Sequence, residues 1–210
     1  MGRFLAALTV VGLLVSCQNE THAVFSPVPS PSPHHQPTAA ILQPSDVPPG
    51  LNVCLGSGPI DAYIETLTSA RAPIVQTVSN EWDQLVTAGA RSGAISIYTS
   101  APSACSAELG ATSDLKAATS LVASFENQGQ ADRAWQAGVF GFVPPEPGEI
   151  APGVTLGTST GLGVSSFTFA RSPVRLSCWH RSIYVALVVF SNLDPASFAV
   201  ATAAVDARLN

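Results

Sequence analysis

The chain predicts an α+β domain: an antiparallel sheet with a C-terminal three-strand meander, amphipathic helices packed on it, and a final C-terminal helix. Three observations carry this. Strand-like runs at 164–170, 174–179 and 183–190 are separated by short turns at Arg171-Ser172-Pro173 and His180-Arg181-Ser182. Apolar residues recur at helical spacing in four other segments. Helices segregated against an antiparallel sheet are the layer solution this pattern favours. Hydrophobic residues make up 46% of the 210 residues and charged residues 11%, which suits a single core of ordinary size.

At the N-terminus, Arg3 gives a short positive start and residues 4–15 form an apolar run broken by Thr9 and Gly12. A dozen residues suits a signal segment, whereas a helix needs about 20 to span a bilayer. The run closes on Leu14-Val15-Ser16-Cys17. This resembles the lipobox of bacterial lipoproteins, and the resemblance covers residues 1–17. It implies that Cys17 receives a diacylglyceryl group and becomes the first residue of the mature chain, after removal of a signal peptide at 1–16. The expected location is then the extracytoplasmic face of the cell membrane, held by the lipid anchor. Without lipidation the protein would be secreted.

Residues 17–50 read as a lipidated cysteine and a Pro/Ser-rich tether. Prolines stand at 27, 29, 31, 33, 37, 44, 48 and 49, and each fixes φ and removes an N–H. An extended spacer of ~3 Å per residue follows from that composition. His34-His35, with His22 nearby, has no cysteine or carboxylate cluster around it and reads as part of the spacer.

Residues 51–210 read as one α+β domain. Pro59 is placed to open a helix carrying Ile60, Tyr63, Ile64 and Leu67. Ser79 is placed to cap a second helix with Trp82, Leu85 and Val86, ending near Gly89. Strands are expected at 94–99 and 121–125, then a helix over 130–137 that turns Ala131, Ala134 and Trp135 inward. Residues 138–152 are turn-forming, with Glu146 and Glu149 in solvent. Residues 183–190 (Ile-Tyr-Val-Ala-Leu-Val-Val-Phe) are apolar throughout, so this strand should be central and buried on both faces. Asp194-Pro195 starts a last helix with Phe198, Ala201, Val205 and Leu209 on one stripe. This order and length of elements is similar to small extracytoplasmic lipoprotein domains of the PsbP/Mog1-like kind.

Formal charge is −5, and 8 − 14 = −6 once Arg3 leaves with the signal. With no basic cluster, nucleic acid is a poor partner, and so are anionic lipid headgroups. The partners this leaves are the membrane through the lipid, and an apolar small ligand or a protein. Lipidation of Cys17 leaves Cys54, Cys105 and Cys178 in an oxidising compartment. Cys54 and Cys105 occupy loops at element ends, which favours their pairing. Cys178 shares a strand face with Val174 and Leu176 and suits burial as a small hydrophobe. A nucleophilic Cys178 assisted by His180 is the sharper alternative.

Gly157-Thr158-Ser159-Thr160-Gly161 fits the G-x-S-x-G elbow of hydrolases. That motif needs a strand before the serine and a helix after it. Here prolines precede it, a strand-like run follows, and no Asp or Glu lies between Ser159 and His180. A Gly/Ser/Thr loop is the favoured reading, and a secreted serine hydrolase using Ser159 and His180 is the alternative. Gly161-Leu162-Gly163 and Gly56-Ser57-Gly58 lack the context of nucleotide sites. Asp61 with Glu65, and Glu81 with Asp83, read as solvated or helix-start acids rather than as a metal site. No motif calls for a cofactor or a metal. Trp82, Trp135 and Trp179 read as core.

Overall fold

The computed structural model describes residues 35–210 apart from 147 and 149. The signal segment, Cys17, His22, His34 and Glu149 lie outside the described residues. In chain order the elements are α1 (Pro37–Ala40), β1 (Asn52–Val53), β2 (Gly58–Pro59), α2 (Ile60–Ser69), α3 (Val75–Thr87), β3 (Ala90–Thr99) and β4 (Ala117–Phe125). They continue with α4 (Gln128–Ala137), β5 (Val154–Leu156), β6 (Ser166–Arg171), β7 (Val174–Arg181), β8 (Tyr184–Ser191) and α5 (Pro195–Ala207). The strands form one antiparallel sheet in the order β1-β3-β4-β8-β7-β6-β5, with β2 joining β1 on the outer edge of β3.

The C-terminal meander and last helix stand where the sequence places them. β8 is central and buried along its length, as its apolar run requires. Its alternate side chains go to opposite faces. Val185, Leu187 and Val189 join one core with Ile95, Ile97 and Leu121, under α2, α3 and α4. Tyr184, Ala186, Val188 and Phe190 join the other, under α5 and the chain around α1. Helices therefore cover both faces of the sheet.

The α5 stripe of Phe198, Ala201, Val205 and Leu209 is buried. Asp194 caps that helix, accepting from the Ser197 N–H at 2.8 Å and the Ser197 hydroxyl at 2.6 Å. Those bonds hold its carboxyl below the ordinary value.

Several boundaries differ from the sequence reading. α3 starts at Val75, before Ser79, and buries Val78, Trp82 and Leu85 while Val86 is exposed. α2 begins at Ile60, with Pro59 in the N-cap position. β3 and β4 each begin four residues earlier than expected, at Ala90 and Ala117. The short strands β1, β2 and β5 carry too few residues to show alternation.

The largest correction concerns the segment read as tether. Residues 36–49 fold onto the sheet as a strap rather than extending away from it. Ala40, Ile41 and Leu42 are buried. An irregular strap leaves backbone groups without ladder partners, and buried polar side chains supply them. The Leu42 N–H donates to Ser120 Oγ at 2.8 Å, and the Tyr98 hydroxyl donates to the Leu42 carbonyl at 3.2 Å. Ser120 Oγ also bonds Ser96 Oγ at 2.9 Å. From the C-terminus, Arg208 donates to the Ile41 carbonyl at 3.2 Å and to Asp46 at 2.8 Å. Burial alone would raise the Asp46 pKa. The Arg208 hydrogen bond, the Gln43 N–H and the Arg208 charge outweigh that and hold it below the ordinary value.

A carboxyl whose pKa is lowered by folding stabilises the native state above its unfolded pKa of ~3.9. That stabilisation fades as the pH falls through the folded value. Asp46→Asn should cost about 1.5 kcal/mol at pH 7. The difference from the parent should shrink in urea titrations as the pH falls below the unfolded value and through the lower folded one, because protonation removes the same charge.

Gly93 sets how closely α3 approaches β3, since a Cβ there would lie 2.6 Å from the ring of Trp82. Gly93→Ala should destabilise by about 1–3 kcal/mol through overpacking. Gly129→Ala, on α4 where the nearest atom is 3.4 Å away, should cost nothing in the same urea titration.

Candidate functional site

A cleft of about 390 Å³ opens at one end of the sheet, where β1, α2 and the loop after β3 meet. One wall is the chain from Asn52 to Leu55, and the other includes Pro102, Cys105 and Ser106. Tyr63, Thr66 and Leu67 of α2, with Ala70 at its C-cap, form the third side. Among the described residues no charged side chain lines it. Val53 and Leu55 at its rim are 57% and 84% exposed, while Tyr63 and Leu67 are buried. The volume falls within the range of small-molecule sites, roughly 300–1,000 Å³.

Local sequence explains the shape. Cys54 is buried, while Val53 and Leu55 on either side of it are exposed. The Cys54 N–H is fixed to the Ile97 carbonyl at 2.8 Å. Gly56 (φ +81°) lets the chain pass against α2, since a Cβ there would lie 2.6 Å from Thr66 Oγ1.

The Cys54–Cys105 disulfide closes the cleft and joins two of its walls across 51 residues of chain, as the loop positions favoured. In the chain-entropy picture a loop of this length contributes up to ~4 kcal/mol. Cys54 is buried and Cys105 half-buried. The Tyr63 hydroxyl has no hydrogen-bond partner among the described residues, and burial pushes its pKa up to about 12.

The other predicted residues lie elsewhere. Cys178 is free and fully buried in the sheet, and burial pushes its thiol pKa up, away from the thiolate a nucleophile needs. His180 Nε2–H donates to the Ser182 carbonyl at 2.7 Å, while Nδ1 lies 3.7 Å from Asp132 of α4. Sequence reading missed that carboxylate because it comes from a different element.

Ser159 is exposed on a 3-10 turn, Gly157–Thr160, with the short strand β5 before it and no α-helix after it. Among the described residues no hydrogen bond joins Ser159 Oγ to His180. Both imidazole nitrogens already face other groups. The neighbouring Thr160 hydroxyl is bonded to Ser166 Oγ at 2.6 Å, so the loop is tied internally.

Asp61 and Glu65 are exposed on α2. Among the described residues no group of three or more His, Cys, Asp or Glu side chains could hold a metal. Trp82 and Trp179 are core, whereas Trp135 is half-buried beside Pro144 and Pro145. No helix of the described residues is long and apolar enough to cross a membrane. The chain matches no family model, no curated protein and no solved structure.

Proposed function

We propose that this is a lipid-anchored binding module of the extracytoplasmic membrane face that takes a small apolar ligand in the cleft beside Cys54–Cys105. The observation that carries the reading is the cleft itself: a half-open cavity of about 390 Å³ without a charged lining residue, rimmed by exposed Val53 and Leu55. Each methylene such a site removes from water contributes ~0.8 kcal/mol. The lipobox at Leu14-Val15-Ser16-Cys17 supports the anchor. The disulfide supports an oxidising compartment. Acid–base or nucleophilic chemistry has no support at this site, whose polar groups are hydroxyls, amides and a disulfide.

The ligand reading is tested with N-phenyl-1-naphthylamine, a neutral apolar probe whose fluorescence rises on leaving water, added to the oxidised full chain. Saturable binding is expected. Ala70→Trp, which places a large side chain in the cleft from the exposed C-cap of α2, should abolish it. Leu55→Asp should weaken it about tenfold, equivalent to ~1.4 kcal/mol. A probe signal that does not saturate, or that both substitutions leave unchanged, rejects the reading.

The anchor is tested separately by fractionating cells that express the parent and Cys17→Ser. The parent should sediment with membranes and the variant should not. Equal sedimentation of the two would remove the lipid anchor from the proposal.

A further inference from the structure

The disulfide and the cleft occupy the same place, and that has a chemical consequence. Cys54 and Cys105 both line the cleft, on opposite walls. Cys54 is 3% exposed, whereas Cys105 is half-buried. Cys105 is therefore the more accessible of the two bonded residues.

The loop carrying Cys105 is held in an unfavourable conformation. Leu109 sits at φ +50°, a left-handed backbone that a branched side chain rarely adopts, and it is buried there. Its carbonyl accepts from the Thr119 hydroxyl at 2.7 Å, which pins the loop to β4. Opening the disulfide would free one end of this strained segment and part the two walls.

We infer that the Cys54–Cys105 disulfide is a redox latch on the cleft: a dithiol reductant reaches it through the cleft, so an occupant of the cleft governs access to the bond. The inference rests on the ligand-binding reading for its biological sense.

In the first step a thiolate of the dithiol attacks Cys105 Sγ. The Cys54–Cys105 bond breaks, and its electron pair leaves on Cys54 Sγ, which takes up a proton. The second thiol, as thiolate, then attacks the mixed disulfide and releases Cys105 as a thiolate that is protonated in turn. The reductant ends as its own disulfide, having given two electrons and two protons to the protein. Cys178 is no internal source of the thiolate, because burial keeps its thiol protonated. An occupied cleft shields the bond sterically, so occupancy governs how fast the disulfide is reduced.

The experiment follows reduction of the full chain by dithiothreitol at pH 8, with alkylation of new thiols and intact-mass readout. Three samples are compared: the parent alone, the parent with N-phenyl-1-naphthylamine at ten times its Kd, and Ala70→Trp alone. Circular dichroism confirms that all three are folded at the start. The probe should slow reduction about tenfold, since only about one molecule in eleven then has an empty cleft. Ala70→Trp should slow it without any probe.

If the oxidised parent fails to bind the probe but Ala70→Trp still slows reduction, the ligand reading falls and access through the cleft stands. If the probe binds and neither it nor Ala70→Trp changes the rate, the latch is overturned while ligand binding stands.

Discussion

A strand whose eight residues are all buried has to be covered on both faces, and the rest of this domain follows from β8 meeting that condition. One helix layer would leave either Val185, Leu187 and Val189 or Ala186, Val188 and Phe190 in water. The chain answers with α2, α3 and α4 on one side and α5 with the strap on the other. Two buried faces also account for a charged fraction of only 11%. Surface is confined to helix backs, loops and sheet ends, so few positions remain where a charge is free of desolvation cost.

The strap shows how the second face is completed when one helix does not reach across it. A segment without ladder hydrogen bonds can be buried only if side chains satisfy its backbone. Ser120, itself bonded to Ser96, and Tyr98 do so from the sheet, and Arg208 does so from the end of α5. The Tyr184 hydroxyl adds a bond to the His35 carbonyl at 2.7 Å. Ser120 in the middle of a buried strand serves the strap: its hydroxyl accepts from the Leu42 N–H while it is also bonded to Ser96.

That arrangement explains which parts of the fold were legible in the sequence. Residues 183–190 and the Phe198-Ala201-Val205-Leu209 stripe are read easily because their side chains serve a single purpose, burial. Ala117–Ser120 escaped because Ala-Ala-Thr-Ser shows no apolar alternation and only small side chains, although Ser120 is there for the strap. Proline content pointed residues 36–49 towards an extended spacer. Composition reports what a segment cannot form, helix or central strand, and not what it lies against. In the cleft, the disulfide followed from loop positions. The apolar rim did not, because Val53 and Leu55 flank Cys54 and look like an ordinary short strand until their direction is known. Asp132 beside His180 is a contact between elements that no local pattern encodes.

The rim residues separate what the fold needs from what it does not. Cys54 is buried in its bond to Cys105, while residues 53 and 55 on either side of it are exposed. The core leaves the identity of these two residues open. Threonine or serine there would avoid exposing apolar surface. Val53 and Leu55 instead present their side chains to a cavity whose floor is Tyr63 and Leu67. Apolar residues that the core does not use, placed around a concavity without charge, point to a partner that covers them. The disulfide at Cys54, between the two rim residues, also joins the cavity's walls, so the rim and the cavity it surrounds share one covalent support.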